Sequence, residues 1–473
     1  MVDTFSVYGP PGCGKTTEML KRLEEAKNKY SVDEICFLSF TKAGASEALK
    51  RLNIKKSEKI CTIHSLMFKL NNLSVVSVVD HNKLKKFGDK TGFRFKGTTN
   101  DTSENMEIGD QYLSILYKAV NKMVDIKSEY YESNRPGDWH NFKFFCECYD
   151  NWKLSNGYCD FNDMLLMYLR NTVDHKSKAV FIDEAQDLSN LQWSVVDKII
   201  SFPYVKEVHI AGDDDQSIYE WSGANAHGMQ RFENKYDSDR LVLNQSFRVP
   251  RSIHEIAIKT VNTIKRRVQK EYLPKTDEGI IRRSSFFNSN LFSSGDDVLI
   301  LCRNFVTKKE IEEELIRSRV PYSNDSGLPS LFSNRIAEAI KIFKKMENGE
   351  ALTQPEIDKM LTVSDDRTKK ELSTKSFQQV LKRGYMASFV IPIHLVDFYR
   401  EADFSVIPTV RVSTIHASKG READHTILHT GLTNKTLLDM DSNPDAEARV
   451  WYVGLTRSKR ILDIIEGDNG YAV

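Results

Sequence analysis

GPPGCGKTT (Gly9–Thr17) and FIDEAQD (Phe181–Asp187) decide how this chain of 473 residues is read. The first fits G-x-x-x-x-G-K-[ST]. It lies between a β-rich run, TFSVYG (Thr4–Gly9), and a helical pattern, EMLKRLEEA, which is the strand–loop–helix context that such a phosphate cradle needs. Gly9, Gly12 and Gly14 let backbone N–H groups of the loop, which also holds Cys13 and Thr17, converge on phosphate oxygens. The helix N-terminus adds partial positive charge. Lys15 is expected to neutralise the β- and γ-phosphates and Thr16 to hold Mg²⁺. AVFIDEAQD (Ala179–Asp187) reads as an apolar strand ending in carboxylates. Asp183 is placed to bind Mg²⁺ through water, and Glu184 to orient and deprotonate an attacking water. Together the two strand ends imply a site for nucleoside triphosphate hydrolysis. The cradle alone leaves a small-molecule phosphotransferase open.

Composition narrows the class without choosing within it. Charged residues make up 28% and hydrophobic ones 40%, a globular balance, and the net charge is +1, so any nucleic acid must be held by local patches. The length allows two to four domains. No run of about 18 apolar residues predicts a membrane span, and MVDTFSVYGPP enters a strand with no leader-like segment. The seven cysteines are an odd number. Cys146, Cys148 and Cys159 lie near one another but fall short of a four-ligand metal set. Free thiols in a reducing cytoplasm are the expectation.

A further run, AGDDDQSIYEWSGA (Ala211–Ala224), follows the strand EVHI, and an ordered series surrounds it. FLSFTKAGASEAL (Phe37–Leu49), CTIHSLMFKL (Cys61–Leu70) and YCDFNDMLL (Tyr158–Leu166) precede it. LNQSFRVP (Leu243–Pro250), VLILCRN (Val298–Asn304), VSTIHASKGREADHTIL (Val412–Leu428) and VWYVGLTRSKR (Val450–Arg460) follow. In chain order they resemble motifs Ia and Ib, the run before the Walker B strand, motifs III and IV, the strand that follows motif IV, and motifs V and VI of the UvrD/Rep/PcrA-like helicases of superfamily 1A. The match runs from Gly9 to Arg460.

The resemblance implies roles residue by residue. Gln216 would sense the γ-phosphate. Arg248 and Arg457 would reach it as permanently charged, bidentate groups. Phe247 stands where the family has a tyrosine that stacks on adenine. Glu422 would contact ribose, and Gly420 would let backbone approach phosphate. Tyr219 and Trp221 would stack on single-stranded bases without reading them; for Trp221 a core role stays open. Phe40, Thr41, Thr62, His64, Thr414 and His416 match positions that hold or sense nucleic acid, with a structural histidine an equal reading of His64. Lys419 could face the strand or a neighbouring loop. The cofactors implied are ATP and Mg²⁺, and the partners single-stranded DNA and tailed duplex DNA. The activity implied is ATP-driven 3′→5′ translocation and unwinding in replication, repair or recombination. A translocase that strips proteins with little unwinding is the alternative.

Departures from the family pattern are visible. No glutamine motif precedes the first strand, and Thr17 stands where an arginine is common; both loosen base discrimination. Arg421 replaces a leucine. The compact build would suit a phage or mobile-element enzyme.

Alternating strand and helix patterns predict an α/β fold with two RecA-like P-loop motor domains on parallel sheets, each interrupted by a mainly helical insertion. The first core is expected to use 1–75 and 155–245, the second 246–345 and 405–473. The insertions would be 76–154 and a reduced 346–404. HNKLKKFGDKTGFRFKG (His81–Gly97) is basic with interleaved Phe87, Phe93 and Phe95. It suits either a solvated face over core phenylalanines or a single-strand contact. IKRRVQK (Ile264–Lys270) reads as an exposed helix face.

Overall fold

The computed structural model describes residues 2–51, 53–54, 57–97, 106–133, 135–171, 173–293, 295–324, 330–404, 408–467 and 469–471. They form two compact units, Met1–Glu278 with Asn434–Thr456, and Gly279–Thr433 with Arg457–Val473. Each contains one six-stranded sheet, parallel throughout. No helix among the described residues is long and apolar enough to cross a membrane.

In the first unit β1 (Asp3–Tyr8), β2 (Ile35–Ser39), β3 (Ile60–Thr62), β4 (Ala179–Asp183), β5 (Glu207–Gly212) and β6 (Asp239–Val242) lie in the order β3-β2-β4-β5-β1-β6. Every residue of β2, β4 and β5 is buried, as expected for central parallel strands covered on both faces. One face packs on Met19, Leu20, Leu23 and Ala26 of helix α1 (Lys15–Lys27), an i, i+1, i+4, i+7 stripe that lies along one side of a 3.6-residue helix. The other face packs on the helices Ile63–Leu70, Phe161–Arg170, Asn190–Ile200 and Gly228–Tyr236.

Register places the motifs. Tyr8 lies opposite Gly212, Ile182 opposite Ile210, and Ser39 opposite Asp183. Four parallel strands therefore end side by side, so residues that follow them share one edge despite long separations in sequence. That carboxyl edge is where open α/β sheets bind ligands.

The helical segment between β3 and β4 has its own aromatic core of Phe87, Tyr112, Tyr130, Phe142, Phe145 and Tyr149. Phe87 is buried, and Phe93 and Phe95 pack on the same cluster, while Lys85, Lys86 and Lys90 of the helix His81–Thr91 are exposed. The phenylalanines of His81–Gly97 are thus core residues beneath an exposed basic face.

The expectation for Ile264–Lys270 is overturned. The preceding helix ends at Val261, and the segment continues without helix. Ile264 and Val268 are buried, and the Lys270 side chain is 0% exposed. A helix-like alternation of charge and aliphatic residues hid a run in which Lys265 and Arg266 stay exposed while Arg267 and Lys270 point inward to partners distant in sequence.

The second unit has β7 (Ile280–Ser284), β8 (Val298–Cys302), β9 (Tyr322–Asn324), β10 (Val410–Thr414), β11 (Ala423–His429) and β12 (Ser458–Ile465), ordered β7-β12-β11-β8-β10-β9. The short helices from Gln354 to Glu401 put Ile357, Met360, Leu372, Val380 and Tyr399 into the same core as Ile340 and Phe343 of the helix Arg335–Glu347 and Val298 and Ile300 of β8. Residues 346–404 thus share a core with the sheet they interrupt.

Candidate nucleotide and nucleic-acid site

The loop after β1 is shaped by its glycines. Gly14 caps α1 in the left-handed region at φ 81°, and Gly12 has φ 79°. A Cβ on Gly12 would also come within 2.5 Å of Arg248 Cβ, so both conformation and space demand glycine there. Lys15 Nζ donates to Gly9 O at 2.6 Å, folding the side chain back over the loop. Burial pushes the Cys13 thiol up to about 12, which makes it a packing group. Thr17 is exposed on the first turn of α1.

Thr16 Oγ1 donates to Asp183 Oδ2 at 2.9 Å, so the hydroxyl and carboxylate expected to share Mg²⁺ are already adjacent. Hard oxygen donors of this kind fit that ion. Burial, then the neighbouring Glu184 charge, pushes the Asp183 carboxyl up to about 6; a bound cation would reverse this. Glu184 is held at φ 56°, a left-handed conformation uncommon for a residue with a Cβ. Gln186 Nε2 donates to its carboxylate at 2.5 Å, and Gln186 Oε1 accepts from the backbone N–H of Asp213 at 3.0 Å. Asp213 Oδ2 in turn accepts from Gln216 Nε2 at 2.7 Å. A run of hydrogen bonds therefore joins Glu184, the expected water-activating residue, to Gln216, the expected γ-phosphate sensor. Sequence reasoning missed Gln186; a polar side chain two residues past a strand-end carboxylate was its only signal.

Along the same edge, the ring centroids of Phe40, just past β2, and Tyr219 lie 5.1 Å apart at 30°. Those of Tyr219 and Trp221 lie 6.4 Å apart at 58°. All three are half-buried, which leaves ring surface for base stacking. Thr41 Oγ1 accepts from Gly44 N at 3.1 Å. Thr62 caps the helix Ile63–Leu70 by accepting from Ser65 N at 3.2 Å. His64 meets Phe161 edge-on at 5.4 Å. Burial drops its imidazole to about 4, so it is neutral near pH 7. Phe161, 54% exposed, is a second residue the sequence reading passed over.

Family models match in two stretches: the UvrD/REP helicase N-terminal domain over residues 2–237 and the UvrD-like helicase C-terminal domain over 331–468. The chain belongs to the UvrD-like helicase family. It is 25% identical over 379 residues to a "Probable DNA helicase II homolog" of Mycoplasma capricolum, covering 70% of this chain and 51% of the relative. It is 23% identical over 353 residues to an "ATP-dependent DNA helicase Rep" of Buchnera aphidicola subsp. Baizongia pistaciae, covering 66% and 51%. It is 23% identical over 371 residues to an "ATP-dependent DNA helicase PcrA" of Leuconostoc citreum, covering 67% and 47%. The chain spans about half the length of these relatives.

The remaining positions expected of a UvrD-like helicase divide between the units. In the first, the segment carrying Phe247 and Arg248 is fastened to the phosphate loop. Phe247 N donates to Gly12 O at 2.9 Å, and Ser246 Oγ to Pro11 O at 2.8 Å. The Phe247 ring is 73% exposed beside the loop, where it could lie against a base. In the second unit, Thr414 ends β10 and its Oγ1 accepts from Ala417 N at 3.3 Å, with His416 on the turn between them. Gly420 has φ 80°. Glu422 pairs with Lys459 at 3.0 Å. Arg457 is buried and donates to Arg421 O at 3.3 Å.

Proposed function

We propose that this chain is an ATP- and Mg²⁺-dependent motor that moves along single-stranded DNA and opens tailed duplexes in the 3′→5′ direction. The observation that carries this reading is the hydrogen-bonded run Glu184–Gln186–Asp213–Gln216, which ends three residues before the Phe40–Tyr219–Trp221 ring array. Hydrolysis and strand contact thereby share one short stretch of backbone. The polarity comes from the family resemblance.

In the proposed cycle Gly9–Thr16 wraps the phosphates and Phe247 lies on the base. Lys15, Gln216 and the Arg248 guanidinium meet the γ-phosphate charge. Thr16 and Asp183 would hold Mg²⁺, which supplies charge neutralisation to the phosphates. Glu184 accepts the proton of the attacking water, and the Gln186 amide keeps its carboxylate aimed. Loss of the γ-phosphate changes what Gln216 can bond, and the backbone of 216–221 passes that change to Tyr219 and Trp221. The seven free cysteines suit a reducing cytoplasm.

ATPase rate with and without single-stranded DNA, and displacement of 3′- against 5′-tailed duplexes, test the reading. A turnover rate indifferent to DNA would overturn it. A second reading, a translocase with little unwinding, is favoured by the way residues 346–404 fold into the core of the second unit. It expects protein displacement from single strands with poor strand separation.

A further inference from the structure

Asp213, Asp214 and Asp215 follow β5 in succession, each buried, with carboxylate oxygens within 4.8 Å of one another. Three such groups repel and, unaided, would take up protons. Two cations from the segment misread as a surface helix prevent this. Lys270 Nζ lies 3.0 Å from Asp213 Oδ1 and 3.0 Å from Asp215 Oδ2, and also contacts Asp214. Arg267 grips Asp215 through Nε at 2.7 Å and Nη2 at 2.6 Å. The place a metal ion would take is filled by an ammonium.

The two oxygens of Asp213 do different things. Oδ1 faces Lys270, while Oδ2 accepts from Gln216 Nε2 at 2.7 Å. An amide so anchored has its plane fixed, and with it the direction of its second N–H. Burial pushes the Asp213 carboxyl up, and the charges of Lys270 and Lys15 more than reverse the effect, leaving it below its ordinary value. A three-donor ammonium can serve three carboxylates that converge from different directions; a planar guanidinium cannot.

We propose that Lys270 is a positioning residue for hydrolysis, fixing the Asp213 carboxylate so that the Gln216 amide is presented to the γ-phosphate. This rests on the reading of Gln216 as the γ-phosphate sensor. A cation that merely balanced charge would affect folding but would not act through Gln216.

A double-mutant cycle on the full chain separates the two. Steady-state ATPase with saturating single-stranded DNA is measured for Lys270→Met, Gln216→Ala and the double variant, with ATP affinity followed separately. Partners that orient metal ligands typically cost roughly 10–100-fold when removed, and the same scale is expected of a partner that orients a phosphate-sensing amide. Each single variant should therefore lower kcat on that scale with KM for ATP little changed. The double variant should be about as slow as Gln216→Ala alone. Multiplying effects, or a wild-type kcat in Lys270→Met, would overturn the proposal for Lys270 while leaving Gln216 intact. A wild-type rate in Gln216→Ala would remove the reading beneath it and the proposal together. Should Lys270→Met fail to fold, Asp213→Asn takes its place in the cycle, because it leaves Lys270 its bonds to Asp214 and Asp215.

Discussion

Glu184 is the residue whose backbone departs most tellingly from the ordinary. It follows a buried strand, holds φ 56°, and its carboxylate is aimed by Gln186. A left-handed residue with a Cβ costs of order 1–3 kcal/mol unless its surroundings enforce it, so the conformation marks a side chain whose direction matters. Glu184→Gln keeps the shape and removes the base. ATP should stay bound while hydrolysis falls by roughly 10²–10⁴-fold, read by single-turnover hydrolysis beside nucleotide binding; unchanged hydrolysis would remove Glu184 from the role. Lys15→Ala should instead abolish turnover, since the loop loses the cation that meets the phosphates. At this scale the sequence was most legible where a motif is local. Gly9 to Thr17, Asp183, Glu184 and Gln216 lie within short runs, and the structure brings them to one sheet edge as their spacing suggested. Gln186 and Phe161 were not read, and Lys270 was read as surface, because each acquires its meaning from a partner on another strand or segment.

Elements show the same division. Strands β1, β4 and β5 were readable as runs ending in glycine or carboxylate, whereas Ile264–Lys270 carried a helix-like pattern and forms none, Arg267 and Lys270 being drawn to Asp213–Asp215. The loop into β4 offers a test of acid stability. His175 is buried; its Nδ1 accepts from Ser177 N at 3.2 Å, and its Nε2 lies 3.3 Å from Ile199 O, near the end of the helix Asn190–Ile200. This is the neutral ring with Nε2 protonated, and burial drops its pKa to about 4. Unfolding restores a value near 6.5, so between about pH 6.5 and 4 only the unfolded chain takes the proton. The contribution is complete above pH 6.5 and is lost as pH falls through that window, at about 1.4 kcal/mol per unit. Urea denaturation across pH 4–7 should show the decline, and His175→Gln should make it shallower, the remainder belonging to other buried imidazoles such as His64. An equally steep profile in the variant would assign the loss elsewhere. Among the nucleic-acid contacts, Trp221→Ala should lose DNA stimulation while keeping basal ATPase, since stacking is worth roughly 1–3 kcal/mol per base; stimulation at the wild-type level would end the stacking role.

At the scale of the whole molecule, the two parallel sheets were foreseeable from the order of strand-end motifs, but the path of the chain between the units was not. Residues 434–456 return to the first unit before the chain passes to the second at Arg457, because the helix Pro444–Leu455 is bound by contacts no local pattern announces. Its buried Arg449 donates from Nε to Asp214 O at 3.0 Å, from Nη2 to Arg266 O at 2.8 Å, and from Nη1 to Glu220 Oε1 at 2.9 Å. Asn443 Nδ2 donates to the other Glu220 oxygen at 3.1 Å. Glu220 sits between Tyr219 and Trp221, so one side chain ties the ring-bearing loop to the helix that runs on covalently into Arg457. If strand contact reaches hydrolysis along this route, breaking it should cost stimulation more than basal rate. Arg449→Met leaves one Glu220 oxygen and two carbonyls without this donor, and an unmet buried acceptor typically costs about 1–3 kcal/mol; a calorimetric loss of that order is expected. Glu220→Gln retains shape and an acceptor, so it should stay folded and still lower the ratio of DNA-stimulated to basal ATPase. Full stimulation in a folded Glu220→Gln protein would show that the signal does not depend on the Glu220 charge, leaving the Gln216–Tyr219 backbone as its route.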